Sequence, residues 1–129
     1  NRKETEEALG VRLNDQESVD RAGKSLVEKL DAENVLLTLG ERGMTLVERG
    51  GTAVHVPTMA RKVADVSGAG DTVISTLTMA LAAGATVREA SMLANFAGGI
   101  VCGEIGIVPI GSDLLRETIL DSMNHPGDA

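Results

Sequence analysis

Asp65-Val66-Ser67-Gly68-Ala69-Gly70-Asp71-Thr72 is the stretch around which the rest of this 129-residue chain is interpreted. Two carboxylates bracket a Gly-Ala-Gly turn, and a helical pattern, predicted to run from Thr72 to Ala83, follows at once. Glycine adopts backbone angles that other residues avoid, so successive N–H groups can point at one spot. The following helix adds unpaired N–H groups and the positive end of its dipole. The stretch therefore predicts an anion site, and phosphate is a common ligand of such sites.

Asp71 gives this anion site a possible chemical use. A carboxylate repels a bound phosphate, but it can take a proton from an attacking hydroxyl while the N–H groups hold the phosphoryl group in transfer. The alternative is a plain tight turn in which Asp71 caps the helix. A dinucleotide loop fits less well, because Val73 replaces its third glycine and Asp65 interrupts the apolar strand expected before it. A Walker loop does not fit, because no Lys-Ser or Lys-Thr pair follows the glycines.

Composition and charge narrow the class of protein and its partners. The 129 residues, 43% of them hydrophobic, suit one globular domain with one core. Phe96 is the only aromatic residue, which argues against stacking platforms for bases or sugars. A net charge of −7 disfavours nucleic acid and anionic membranes as partners. Cys102 is the single cysteine, so no internal disulfide or thiolate metal cluster is expected, and a buried, inert thiol is predicted.

The first residues and the apolar runs bear on localisation. The chain starts with Asn1-Arg2-Lys3-Glu4, which is too polar for a signal peptide, and it has no apolar run of membrane-spanning length. These features predict a cytoplasmic protein. Because the chain does not begin with Met, we expect it to be a piece of a longer protein.

The first half of the chain predicts two helices followed by short strands. A polar helix is expected from Asn1 to Gly10, and a capping box at Asn14-Asp15-Gln16-Glu17 opens the second helix. The apolar run Asn34 to Gly40 predicts a buried strand, expected to pair in parallel because a helix precedes it. Residues 44–48 and 53–56 flank a glycine-rich turn and predict a hairpin.

The second half predicts three helices. The one after the anion loop carries small and apolar residues all round, so it is expected to be packed on most sides. The next begins at Thr86 and contains Gly98-Gly99, whose cost to the helix a closely approaching backbone or ligand would explain. A glycine-rich loop over residues 103–109 leads to a last helix from Ser112. Its inward-facing residues are predicted to be Leu114, Leu115, Ile119 and Leu120.

The stretch from Asp65 to Asp71 closely resembles the second signature of the PfkB, or ribokinase-like, sugar kinases. The order of predicted elements is similar to the C-terminal part of such a kinase over essentially the whole chain. Gly-Ala-Gly-Asp-Thr-Val-Ile (68–74) and Ala-Asn-Phe-Ala-Gly-Gly-Ile-Val (94–101) look most like the heptose-phosphate kinases of ADP-heptose synthesis. The resemblance implies an α/β, ribokinase-like (Rossmann-like) layered sheet with helices on both faces, here as its C-terminal portion with a β-hairpin. Residues 1–123 would be the nucleotide-binding part and 124–129 a tail.

The resemblance also implies residue roles. Asp71 would be the catalytic base, and the amides of Gly68, Ala69 and Gly70 would form the anion hole. The nucleotide and its magnesium ion would involve Asn1, Glu4, Thr38, Gly40, Gly43 and Asn95. A monovalent cation such as K⁺ would lie near Asp65, Ser67, Val101, Glu104 and Gly106, although Ile107, Val108 and Pro109 replace the small hydroxylated residues usual there. Without the resemblance, Asn1-x-x-Glu4 is an ordinary solvated helix face, and the two glycines after Thr38 are turn residues.

The implied function is ATP- and Mg²⁺-dependent phosphoryl transfer to a sugar or sugar-phosphate hydroxyl. The sugar site belongs to an N-terminal part that this sequence lacks, so the chain alone is expected to be inactive. The same missing part could form a homodimer. Two other classes stay open: a non-catalytic nucleotide-binding module, and an oligomerisation domain with inert loops.

Overall fold

The computed structural model of the protein describes residues 1–60 and 63–124. They belong to two compact units, Asn1–Thr58 and the chain from Met59 onward. The first unit contains α1 (Arg2–Leu9), α2 (Gln16–Lys29), β1 (Asn34–Thr38), a 3₁₀ turn (Gly40–Arg42), β2 (Met44–Glu48) and β3 (Ala53–Val56). The second contains α3 (Ala69–Ala82), α4 (Val87–Cys102) and α5 (Ser112–Asn124). None of the helices in these described ranges is long and apolar enough to cross a membrane.

The sheet of the first unit is antiparallel throughout. Its strand order is β1-β2-β3, with Leu36 opposite Leu46 and Leu46 opposite Val54. The predicted hairpin of β2 and β3 is confirmed, but the prediction of parallel pairing for β1 is wrong. The chain passes from β1 to β2 through the short Gly40–Arg42 turn. A connection of this length can join only antiparallel strands, because a parallel pair needs a crossover of a dozen or more residues.

The N-cap of helix α2 is Asp15, one residue after the predicted cap Asn14. Asp15 Oδ1 accepts the N–H of Ser18 at 2.8 Å while Ser18 Oγ accepts the N–H of Asp15 at 3.1 Å. The expected pairing of Asn14 with Glu17 is therefore wrong. Asp15 has the extended backbone of a cap residue, and its short carboxylate reaches the N–H three residues on.

The core of the first unit lies where α2 packs on the sheet. A glycine is needed at this contact, since a Cβ on Gly23 would stand 2.5 Å from Val47 Cγ2. The main cluster of buried apolar side chains comprises Leu13, Val19, Ala22, Leu26, Leu37 and Leu39.

Helix α3 begins at Ala69, three residues earlier than predicted. Gly68 takes left-handed angles (φ 77°), and its carbonyl accepts the N–H of Thr72 at 2.9 Å, which closes the first turn. Asp71 consequently lies inside the first turn of the helix and not ahead of it.

The packing of α3 is narrower than predicted. Val73 is its buried residue, whereas Ile74 is 56% exposed and Met79 is 74% exposed. A Cβ on Gly98 would stand 2.9 Å from Val73 Cγ2, so α3 and α4 approach closely here. The prediction of packing on most sides is wrong, because α4 covers only one stripe of α3.

Gly99 and α5 complete the second unit. A Cβ on Gly99 would be 2.9 Å from the carbonyl carbon of Met59, which confirms the predicted close approach of another backbone. On α5, Leu114 is 49% exposed and Leu120 is 47% exposed, so their prediction as inward-facing residues is wrong. The predicted tail 124–129 lies outside the described residues except for Asn124, which ends α5.

Candidate active site

The turn before α3 leaves amide groups open. The Ala69 N–H donates to the Val66 carbonyl at 3.2 Å. In the described part of the chain, the N–H groups of Gly68 and Gly70 have no hydrogen-bond acceptor. Nothing lies within 4 Å of where a Cβ on Gly70 would stand. Two of the three predicted anion-hole amides are therefore available to a ligand at the positive end of α3.

Asp71 follows these amides in the chain, and its side chain makes no stabilising polar contact in the described residues. Its side chain is exposed, and it makes no hydrogen bond or ion pair within residues 1–60 and 63–124. The residue in the cap position is Gly68, and no side chain caps the helix. The alternative that Asp71 is a helix cap is therefore wrong. An unpaired carboxylate one residue after Gly70 is placed to accept a proton from a group bound near the amides.

Asp65 connects the turn to the glycine-rich loop that follows α4. Its Oδ1 accepts the Ser67 N–H at 2.9 Å, and its Oδ2 accepts the Gly106 N–H at 3.1 Å. The Cys102 carbonyl accepts the N–H of Ala64 at 2.8 Å, a second link between the same segments. The sequence offered a sign of the first bond only, because Asp-x-Ser is typical of a turn closed by an aspartate side chain.

Asp65 is expected to make the free energy of unfolding decrease at acidic pH. The Ser67 N–H, followed by the Ser67 side chain and the Gly106 N–H, holds the pKa of the Asp65 carboxyl below its usual range. A lowered pKa stabilises the folded chain above the unfolded-state pKa of about 4, and this is lost as pH falls through the folded value. In urea titrations, we expect the stability gap between wild type and Asp65→Asn to shrink as pH falls below about 4. A gap that does not change with pH would contradict the prediction.

The residues predicted to hold a monovalent cation come together in part. Ser67 and Gly106 are joined through Asp65, and the Val101 carbonyl accepts the N–H of Glu104 at 3.0 Å. The Asp65 carboxylate and the Val101 carbonyl thus accept hydrogen bonds from N–H groups of the chain itself. Across residues 1–60 and 63–124, no three His, Cys, Asp or Glu side chains group as a metal site.

Cys102 and Ile107 lie near the turn before α3. Burial, with a smaller contribution from the negative Asp65, raises the pKa of the half-buried Cys102 thiol. A protonated thiol is poorly reactive, which agrees with the predicted inert cysteine, but the prediction that it is buried is wrong. A Cβ on Gly68 would lie 3.5 Å from Ile107 Cγ2. Ile107 was expected only as a departure from the family pattern, and no local pattern indicates that it lies near Gly68.

In the first unit, the residues predicted to lie along a nucleotide form one turn. Thr38 ends β1, and Gly40 and Gly43 follow with φ values of 64° and 79°. The Leu39 N–H donates to the Gly43 carbonyl at 2.8 Å. A Cβ on Gly43 would clash with the Val56 carbonyl oxygen, so glycine is required here for packing as well.

The other predicted nucleotide residues lie on helices. Asn1 caps α1: its Oδ1 accepts the Glu4 N–H at 3.0 Å, and the Asn1 nitrogen donates to Glu4 at 2.6 Å. This is a capping box, which accounts for the Asn-x-x-Glu spacing locally. Asn95 is buried on α4 with 5% of its surface exposed.

Comparison with known proteins identifies the family. The sequence profile described as pfkB family carbohydrate kinase matches residues 1–110. The chain belongs to the pfkB family of carbohydrate kinases. It is 44% identical over 119 residues to the bifunctional protein HldE of Syntrophotalea carbinolica, covering 92% of this chain and 24% of that protein. It is 50% identical over 106 residues to HldE of Citrifermentans bemidjiense, covering 82% and 22%. The chain thus spans about a quarter of the length of these curated relatives.

Solved structures confirm the ribokinase-like fold class. A ribokinase from Arabidopsis thaliana, complexed with ribose and ATP, superposes with a TM-score of 0.84 at 24% identity, over 92% of this chain and 39% of that one. Phosphofructokinase-2 from Escherichia coli, in complex with substrates and products, gives a TM-score of 0.82 at 23% identity, over 94% and 39%. The resemblance to this family, drawn from residues 65–71 and the element order, is confirmed.

Proposed function

We propose that this chain supplies the nucleotide site, anion hole and catalytic base of an ATP-dependent kinase acting on a sugar or sugar-phosphate hydroxyl. The observation that carries the proposal is the open start of α3, where the unpaired amides of Gly68 and Gly70 lie next to the unpaired carboxylate of Asp71. Membership of a carbohydrate kinase family makes phosphoryl transfer the natural use of these groups.

The proposed acceptor is heptose 7-phosphate, in ADP-heptose synthesis in the cytoplasm. The sequences at 68–74 and 94–101 resemble heptose-phosphate kinases, and HldE proteins are 44% and 50% identical to the chain over their matched regions. Any other sugar or sugar phosphate of similar size is an alternative that an acceptor panel separates.

The proposed mechanism assigns two jobs to the start of α3. The amides of Gly68 and Gly70, with the helix dipole, bind the transferred phosphoryl group and offset the charge on its oxygens. Asp71 orients the acceptor hydroxyl and takes its proton as the oxygen attacks in line. Magnesium bound to the ATP phosphates supplies further charge neutralisation. Most of the acceleration comes from positioning and electrostatics, because the transfer needs little covalent chemistry from the protein.

The remaining assignments are proposals of the same kind. Residues 1–123 form the nucleotide-binding part, with Asn1, Glu4, Thr38, Gly40, Gly43 and Asn95 serving the nucleotide. Asp65, Ser67, Val101, Glu104 and Gly106 surround a K⁺ ion. Ala69 joins the two open amides, while its own N–H donates to the Val66 carbonyl. The sugar site and a homodimer contact lie in further sequence, so the chain alone binds nucleotide without turnover.

Nucleotide binding by the chain itself gives the first test. We expect Mg–ATP and Mg–ADP to raise its melting temperature, because a ligand that binds only the folded state at about 100 Kd stabilises it by about 2.7 kcal/mol. Magnesium chloride alone is the control. The absence of any shift with nucleotide would contradict the proposal and favour an oligomerisation domain with inert loops.

A chimera separates a kinase from a non-catalytic nucleotide-binding module. The chain replaces the matching 119-residue segment of the Syntrophotalea carbinolica HldE protein. Radiolabelled ATP is then supplied with heptose 7-phosphate and a panel of sugars. Transfer by the chimera supports the kinase; nucleotide binding without transfer, in a folded chimera, favours the non-catalytic module.

A further inference from the structure

The Asp65 carboxylate is tied to two parts of the chain that are far apart in sequence. One oxygen binds the neighbouring Ser67 N–H, and the other binds the Gly106 N–H, 41 residues away. Hydrogen bonds to an ionised carboxylate are stronger than bonds between neutral groups. The two loops that Asp65 joins are those before α3 and after α4.

Two further contacts hold the same loops together. The Cys102 carbonyl accepts both the Ala64 N–H at 2.8 Å and the Asp65 N–H at 3.3 Å. Ile107 also lies near Gly68, whose N–H is one of the open amides, since a Cβ added at Gly68 would stand 3.5 Å from Ile107 Cγ2. The left-handed backbone of Gly68 therefore lies near Ile107 and follows directly after the turn that Asp65 closes.

We propose that Asp65 is a positioning residue: its carboxylate latches the loop after α4, through the Gly106 amide, to the turn that aims the Gly68 and Gly70 amides. The latch needs no bound cation, because the chain's own N–H groups satisfy the carboxylate. Each oxygen keeps a lone pair, so a cation can bind in addition. The latch itself is a matter of geometry, whereas its use in holding a phosphoryl group rests on the proposed function.

The latch is tested by amide hydrogen exchange in the 129-residue chain, followed by NMR in a tetramethylammonium buffer without potassium or sodium. In Asp65→Ala, exchange at Ser67 and Gly106 should rise about tenfold, because both amides lose a charge-assisted bond. Asp65→Asn gives a more specific signature. The asparagine carbonyl oxygen still accepts the Ser67 N–H, but its NH₂ group is a donor facing another donor, the Gly106 N–H. Only the Gly106 amide should therefore exchange faster.

Controls separate the latch from general destabilisation and from a cation role. Asp121→Asn, an exposed acid on α5, should leave both amides unchanged. Amides in the middle of α4 report global stability, so in Asp65→Asn the rise in exchange at Gly106 should exceed any rise at these α4 amides. Unchanged Gly106 exchange in both Asp65 variants overturns the latch. A difference that appears only after potassium chloride is added also overturns it, since Asp65 would then act only as a cation ligand.

A second readout links the latch to ligand binding. Adding Mg–ATP should shift the NMR signals of the Gly68 and Gly70 amides. Asp65→Asn should weaken ATP binding about tenfold, because the two N–H groups are then less well oriented to donate hydrogen bonds to the phosphate. If ATP shifts neither signal in the wild-type chain, the proposed function fails while the exchange result still decides the latch. If ATP binds Asp65→Asn as tightly as wild type, the positioning role is overturned.

Discussion

Asp71→Asn is expected to lower kcat for phosphoryl transfer by about 10³-fold in the chimera with HldE, because a positioned general base contributes about 10²–10⁴ in rate. The amide is nearly isosteric with the carboxylate but cannot accept the proton. Binding of Mg–ATP should be unchanged or tighter, because a negative charge next to the phosphate site has been removed. The measurements are kcat from labelled product and the ATP dissociation constant by calorimetry.

Asp121→Asn is the matched control for this prediction. It removes the same charge from an exposed acid on α5, away from the start of α3. It should retain wild-type kcat and wild-type ATP affinity. Turnover of Asp71→Asn within about threefold of wild type would contradict the role of Asp71 as base, since loss of a general base cannot be that small. A parallel loss in both variants would point to net charge and not to a specific residue.

The predictions that held were those fixed by local chemistry. Glycine at positions 68 and 70, followed by a helical run, predicted a turn with open amides at a helix start, and the structure has one. The hairpin between β2 and β3 was predictable because a glycine pair separates two short apolar runs. The cost of Gly98-Gly99 in a helix indicated a close approach, which Met59 makes at Gly99.

The predictions that failed depended on which partner each element meets. The apolar run at β1 reads the same whether its neighbour is parallel or antiparallel, and the short turn to β2 decides the matter. Likewise, the apolar sequence of α3 does not reveal that only one stripe around Val73 is covered. The bond from Asp65 to Gly106 joins residues 41 positions apart, so no local pattern could predict it.

Gly43→Ala is expected to destabilise the chain by about 2–6 kcal/mol, adding backbone strain of about 1–3 to overpacking of about 1–3. Gly43 has φ 79° and ψ −130°, a conformation that is essentially restricted to glycine. A Cβ there would also meet Thr58 N at 2.6 Å and the Pro57 carbonyl carbon at 2.8 Å. These are backbone atoms, so relief requires the segment after β3 to move away from the turn before β2.

Gly50→Ala is the control that separates the cost of backbone strain from the cost of steric overlap. Gly50 also has a positive φ of 69°, but nothing lies within 4 Å of its added Cβ, so only about 1 kcal/mol should be lost. Urea titration of wild type and both variants gives the free energies of unfolding. If Gly43→Ala is no less stable than Gly50→Ala and yet loses ATP binding, Gly43 is required by the nucleotide and not by packing. If Gly43→Ala loses stability as expected, packing explains why glycine occupies position 43. Evidence for a nucleotide site at this turn must then come from the effect of Thr38 and Gly40 substitutions on ATP binding.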